Sequence, residues 1–219
     1  LGNEALVREI IKEELTALKE QYGDARRTQI MDETAEISYE DTLADEEMVV
    51  TISHGGYIKR SPLAIYRSQR RGGKGMTGMA TKEEDYVEHL FVATTHSHIL
   101  LFTNLGRVHW LKVHETPQLG RAAKGKALVN FLQVQPGEIV TAMIPIRQFE
   151  IGRHLVMATR RGVVKKTELQ AYSNPRAGGI IAITLDEGDE LIAVRLTGGQ
   201  DELFLATKQG MAIRFGEEE

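Results

Sequence analysis

Val49-Val50-Thr51-Ile52-Ser53-His54-Gly55-Gly56-Tyr57-Ile58-Lys59-Arg60 places two short runs rich in β-branched residues on either side of a glycine pair, the pattern of a β-hairpin. The pattern recurs. Ile99-Leu100-Leu101-Phe102 leads to Gly106 and Arg107-Val108-His109-Trp110, and Leu155-Val156-Met157-Ala158-Thr159 leads to Gly162 and Val163-Val164-Lys165-Lys166. Leu203-Phe204-Leu205-Ala206-Thr207, Gly210 and Met211-Ala212-Ile213-Arg214 begin it a fourth time. The turn glycines are 50, 56 and 48 residues apart, and each supplies the positive φ of a tight turn. A second marker repeats in step: Glu84-Asp85, Pro136-Gly137-Glu138 and Gly188-Asp189-Glu190 each precede an apolar strand, over 86–92, 139–146 and 191–196. Three whole units and the start of a fourth predict an all-β chain of four-stranded, propeller-like blades, because one small sheet cannot bury both faces until a neighbour stacks on it. Three and a half blades rarely close a ring, so the chain reads as a fragment with an open edge or with further blades beyond Glu219.

Upstream the period is helical. Leu6, Val7, Ile10, Ile11, Leu15, Leu18 and Tyr22 recur at three- and four-residue intervals between charged positions, which predicts an amphipathic helix whose left-handed stop is Gly23. Its apolar stripe calls for a partner. Residues 31–47 then carry eight acids and no base, and self-repulsion predicts a linker or loosely held arm. The expected organisation is helix over 1–30, acidic linker over 31–47, and β domain over 48–219.

The composition of the 219 residues, 42% hydrophobic with no cysteine, excludes disordered, collagenous and disulfide-stapled classes. No apolar run reaches twelve residues and no charged-then-apolar leader opens the chain, so neither a membrane span nor a signal peptide is expected. The net charge of −4 conceals an asymmetry. Residues 1–47 hold 14 acids and 5 bases, residues 48–135 hold 5 and 12, and residues 136–219 hold 12 and 10. Within the basic middle, residues 48–81 carry Lys59, Arg60, Arg67, Arg70, Arg71 and Lys74 without one acid, a density suited to a polyanion.

Each unit also has a glycine-bearing polar segment in its middle. These are Gln69-Arg70-Arg71-Gly72-Gly73-Lys74-Gly75, Gly120-Arg121-Ala122-Ala123-Lys124-Gly125 and Pro175-Arg176-Ala177-Gly178-Gly179. Arg followed by small residues lets backbone approach a partner while cationic arms flank it, and guanidinium and ammonium groups bind phosphate without reading bases. The expected ligand is double-stranded DNA, held without sequence specificity and in a salt-sensitive way. A nucleoside-triphosphate loop is excluded by spacing, since Ser68 stands where its first glycine belongs and Gly75 where Ser or Thr must follow the lysine.

Gln69-Arg70-Arg71-Gly72-Gly73-Lys74-Gly75 resembles, residue for residue, the seven-residue box that marks the A-subunit family of bacterial DNA gyrases against their topoisomerase IV counterparts. The surroundings agree: Ser53-His54-Gly55-Gly56-Tyr57-Ile58-Lys59-Arg60, Lys82-Glu83-Glu84-Asp85, Met157-Ala158-Thr159, Val164-Lys165-Lys166-Thr167, and Glu20 through Thr28 at the passage out of a coiled-coil arm. The resemblance implies a six-bladed β-pinwheel, with strands exchanged between blades and DNA wrapped around its basic rim. Gln69, Arg70, Arg71, Gly72, Gly73, Lys74 and Gly75 would be the contact essential for wrapping. Lys59, Arg60, Arg67, Arg121, Lys124 and Lys126 are additional rim candidates from the repeat, and Arg176, in a nearly neutral unit, is a weaker one. For the whole assembly the resemblance implies a cytoplasmic type IIA topoisomerase, an isomerase with A2B2 composition, whose gyrase B subunit supplies ATP hydrolysis and uses Mg2+. The cleaving tyrosine belongs to a domain outside this chain, so no catalytic residue, cofactor or metal is expected here.

Other readings are bland. His96-Ser97-His98 lacks the further ligands of a metal site, Trp110 suits packing between blades better than stacking on a base, and none of Tyr22, Tyr39, Tyr57, Tyr66, Tyr86 or Tyr172 needs a catalytic role. Acid pairs such as Asp186-Glu187 mark turns. Two rival functions stay open: a topoisomerase IV-type C-terminal domain, and a protein-interaction scaffold whose basic patch meets an acidic partner.

Overall fold

The computed structural model describes residues 2–24, 28, 39–66, 78–80 and 85–218, in two compact units, 1–38 and 39–219. In the first unit helix α1 spans Glu4–Tyr22, its free N-terminal amides met by Asn3 Oδ1, which accepts from the Ala5 amide at 3.2 Å. None of its residues is buried, so Leu6, Ile10, Leu15 and Leu18 present the predicted stripe to the surface of that unit. The stop differs from expectation. Gly23 has φ −71°, an ordinary extended conformation, and donates to the Lys19 carbonyl at 2.8 Å. Glycine is required there because a Cβ would collide with that same Lys19 oxygen.

Among the described residues of the second unit, the named strands pair antiparallel, with one isolated parallel bridge between Arg60 and Gln118. Strands β1 (Glu47–Ser53), β2 (Tyr57–Pro62), β3 (Val87–Thr94), β4 (His98–Thr103), β5 (Arg107–Lys112), β6 (Lys126–Ala127) and β7 (Val140–Ile146) build most of two sheets. They continue with β8 (His154–Thr159), β9 (Val164–Glu168), β10 (Ile180–Ile181), β11 (Leu191–Thr197), β12 (Glu202–Ala206) and β13 (Ala212–Gly216). The sheet orders are β3-β1-β2-β6, β10-β5-β4-β7, β11-β8-β9 and β12-β13. Sheets and sequence repeats are therefore out of step: β6 lies in the second repeat but closes the first sheet on β2, and β10 of the third repeat closes the second sheet on β5. Strand exchange of this kind locks successive units together.

All four hairpins share one turn. Gly56, Gly106, Gly162 and Gly210 have φ of 76°, 71°, 87° and 84°. Each donates to the carbonyl three residues back, on Ser53, Thr103, Thr159 and Thr207, whose hydroxyls accept from the amide four residues on. A hydroxyl at that position repeats with the glycine because it satisfies an amide the turn would otherwise leave unpaired.

The core explains the hydrophobic run at 99–102. Ile99 and Leu101 pack with Met48, Val50, Ile52 and Ile58 on one side, whereas Leu100 and Phe102 pack with Leu155, Met157, Leu169 and Leu191 on the other. The second sheet is covered on both faces and so reads as continuously apolar.

The acidic stretch divides. Residues 39–47 belong to the second unit, where a single 3-10 turn over Tyr39–Thr42 leads into β1. The Glu46 carbonyl accepts from the Thr95 amide at 2.9 Å, His96 Nε2 lies 3.0 Å from the Leu43 carbonyl, and Asp45 pairs with Arg147 at 3.0 Å. Specific partners overcome the self-repulsion of this segment. Residues 31–38 lie outside the described residues.

Candidate nucleic-acid interface

After β5 the chain turns over Val113–Glu115 and runs back along β2. The Arg60 amide donates to Pro117 O at 2.9 Å, the Leu119 amide to Arg60 O at 3.0 Å, and Ser61 Oγ to Leu119 O at 2.8 Å. The loop 120–125 then doubles back and enters β6 through Gly125, at φ +89°. A Cβ there would come within 2.6 Å of Ile58 O, and one on Gly179, the counterpart in the third repeat, within 2.7 Å of Val108 O. Gly125 and Gly179 thus serve close approach to β2 and β5, the strands on which β6 and β10 close, whereas a Cβ on Gly120 or Gly178 would meet nothing within 4 Å. At Gly125 and Gly179 the backbone therefore approaches the protein's own strands.

The same packing removes one rim candidate and engages part of another. Lys59 is fully buried, and its ammonium donates to Gly120 O at 3.1 Å and to Arg121 O. Burial first, and the Arg121 charge second, lower its pKa. Arg60 spends one guanidinium nitrogen on the carbonyls of Val113 (2.8 Å), His114 and Thr116. Both cations hold the returning chain by satisfying carbonyls that no strand partner reaches, and neither Lys59 nor the engaged face of Arg60 is free for DNA. Arg107, with Nη2 at 2.5 Å from Gly178 O, does the same one repeat later.

What remains on this edge is Arg121, half-buried beside the loop, Lys124 and Lys126. Lys124 holds its ammonium 4.2 Å from the centre of the Tyr57 ring, and Lys126 is exposed on β6 opposite Ile58. The three lie within six residues on the outermost strand connection of the first sheet. Arg67 and Gln69, Arg70, Arg71, Gly72, Gly73, Lys74 and Gly75 lie outside the described residues. Trp110 is anchored between units, its indole N–H donating to Tyr172 O at 2.8 Å.

The acids of the second marker do more than mark turns. Asp85 accepts from the Gly55 and Tyr86 amides at 2.7 and 3.0 Å, and Asp189 accepts from Arg161 and Glu190 at 3.1 and 2.8 Å. The Glu138 side chain is wholly buried and accepts from the Gln135 amide (2.7 Å) and Thr103 Oγ1 (2.8 Å), with His109 Nε2 at 3.1 Å. Burial alone would raise the Glu138 pKa; the hydrogen bonds from Gln135, His109 and Thr103 outweigh it, and the carboxyl is held below its ordinary value. Glu217 is held in a different place, just after β13: it accepts from Thr197 Oγ1 and the Asp201 amide, each at 2.8 Å, with Lys166 Nζ at 3.2 Å. The sequence signal was the acid recurring in phase with the Ser or Thr of each hairpin.

Successive antiparallel sheets, each completed by a short strand from the next repeat and joined through Gly-containing basic loops, define a β-pinwheel domain. The family model for the DNA gyrase C-terminal domain, a beta-propeller, matches residues 47–94, 97–147, 153–197 and 201–219, one match for each repeat, and the chain belongs to that family. The DNA gyrase A protein of Salmonella typhimurium is 46% identical over 99% of this chain, and that of Halalkalibacterium halodurans 47% identical over 99%. This chain spans about a quarter of the length of either, 25% and 26%. Among solved structures, the C-terminal domain of DNA topoisomerase IV superposes with TM-score 0.68 at 34% identity, covering 80% of this chain and 53% of that one. The DNA gyrase A C-terminal domain, with TM-score 0.60 at 19% identity over 78% of this chain and 55% of that one, shares the fold.

Proposed function

We propose that this chain binds and wraps double-stranded DNA as part of the A subunit of a DNA gyrase, and through the whole A2B2 enzyme supports ATP-dependent negative supercoiling. The gyrase B subunit would supply the ATPase with its Mg2+, and the assembly would act on the bacterial chromosome in the cytoplasm. No helix among the described residues is long and apolar enough to cross a membrane. The observation that carries the reading is the intact Gln69–Gly75 box inside a chain of this family.

The contacts we assign are Arg67, the box residues Gln69 to Gly75, and Arg121, Lys124 and Lys126; Lys59 is withdrawn because its ammonium is buried against carbonyls, and Arg60 could offer only its Nη2 edge. Arg and Lys around a strand connection bind phosphates through charge and hydrogen bonding, so the affinity is dominated by counterion release and falls steeply with salt. Titrating a labelled mixed-sequence duplex at several salt concentrations tests this. A linear loss of log affinity with log salt, with a slope reduced when Arg70, Arg71 and Lys74 become Ala, is the expected result; salt-independent binding or an unchanged slope contradicts it.

A topoisomerase IV-type reading is favoured by one observation, the 34% identity to that enzyme's C-terminal domain. The two part on the box: a gyrase-type domain depends on it for wrapping, and a topoisomerase IV-type domain does not.

A further inference from the structure

The segment 39–46 is an acidic strap seated on a basic edge. Tyr39 meets the His114 ring edge-on at 6.3 Å, Glu40 pairs with Lys112, and Asp45 pairs with Arg147 at 3.0 Å while accepting from the His96 amide. The partners are 72 and 102 residues away in sequence, so these contacts are built by the fold. Lys112 ends β5, and the chain that leaves it, residues 113–119, is held by Arg60 and runs directly into the loop carrying Arg121 and Lys124. The strap therefore lays Glu40 against Lys112, at the start of the same connection to which DNA binding is assigned, and Asp45 against Arg147, just after β7. Burial opposes ionisation of Asp45, but its hydrogen bonds with Thr94 and His96 and the charge of Arg147 prevail and keep it ionised.

We propose that residues 39–46 act as an internal substitute for DNA phosphate, occupying Lys112 and Arg147 in the unbound protein and giving them up when duplex DNA wraps. The inference rests on the DNA-binding reading above. Its energetics are suited to exchange: ion pairs that are partly exposed are weak and screened by salt, so a polyanion offering many phosphates can displace two carboxylates without unfolding β1. Reciprocity follows, since whatever DNA does to the strap, loss of the strap's charges must do to DNA affinity.

The test uses the full 219-residue chain, a mixed-sequence duplex at low ionic strength, and two variants of equal charge. Glu40→Gln with Asp45→Asn removes the two strap carboxylates paired with Lys112 and Arg147 and leaves Asp41 and Glu46, and Glu13→Gln with Glu14→Gln removes the same charge from helix α1. The strap variant is expected to bind roughly two- to tenfold more tightly than the helix control, the range that weak ion pairs allow. In the unmodified chain, saturating DNA is expected to speed hydrogen exchange at the Thr95 and His96 amides, which hold the strap. Equal affinities for the two variants, or unchanged exchange at those amides, would overturn the strap inference and leave the DNA reading standing. No binding by the unmodified chain or by either variant would overturn the DNA reading, and this inference with it.

Discussion

The Lys59 ammonium lies 3.1 Å from the Gly120 carbonyl oxygen, with one partner in the first repeat and the other in the second. A cation that looks like a DNA ligand in the sequence is thus a clamp between units. Replacing it separates the two roles. Lys59→Met is expected to cost about 1.5–3 kcal/mol of stability, the worth of hydrogen bonds from a charged group, measured by chemical denaturation. At salt where the variant remains folded, the slope of log affinity against log salt should match that of the unmodified chain, because no phosphate contact is lost.

Lys126, exposed on β6, makes the opposite prediction. Lys126→Gln should leave stability within about 0.5 kcal/mol and reduce the salt slope for duplex binding by about one. A large loss of stability with an unaltered slope would mean that the two lysines have been assigned the wrong way round.

Gly125 and Gly162 have nearly equal φ, +89° and +87°, but different surroundings: the first faces Ile58 O, the second has nothing within 4 Å. Gly162→Ala should cost about 1–2 kcal/mol for left-handed backbone alone. Gly125→Ala carries that cost and a collision with the neighbouring strand, so its loss of stability should be larger by about 1 kcal/mol or more, at the order of an overpacked core site. Denaturant midpoints of the two variants decide it, and equal losses would show that β6 is not held against β2 as described.

Carboxylates cradled by amides and hydroxyls should make the fold sensitive to acid. Glu138, Asp85, Asp189 and Glu217 all have folded pKa values below ordinary ones. A depressed carboxylate stabilises the fold fully above its unfolded pKa, near about 4, and the contribution is lost as pH falls through the lower folded value. The unfolded chain binds more protons in that window, so stability rises with pH there. Unfolding free energy should therefore drop on going from about pH 5 to about pH 3, and Glu138→Gln should flatten part of that slope.

The repeat period, the hairpins, the turn glycines and the helix were legible in the sequence because local periodicity and turn chemistry specify them. Strand exchange was implied by the family resemblance and not by the residues: β6 and β10 are two residues each, too short for any period to register. Lys59 was misread, and the burial of Glu138 was missed, for a related reason. Charge pattern reports that an ionisable group exists, whereas burial of Lys59 under the 120–125 loop depends on a chain segment one repeat away. Gly125 and Gly179 were recognised as special, but the surface they approach belongs to the molecule itself.

DNA wrapping by this chain can be read from topology: a plasmid is relaxed in its presence and sealed with ligase, and the linking number is determined after the protein is removed. A shift that grows with protein concentration, and is lost when Arg70, Arg71 and Lys74 are changed to Ala, is the predicted result. An unshifted distribution, or a shift that survives those three substitutions, would contradict wrapping through the box.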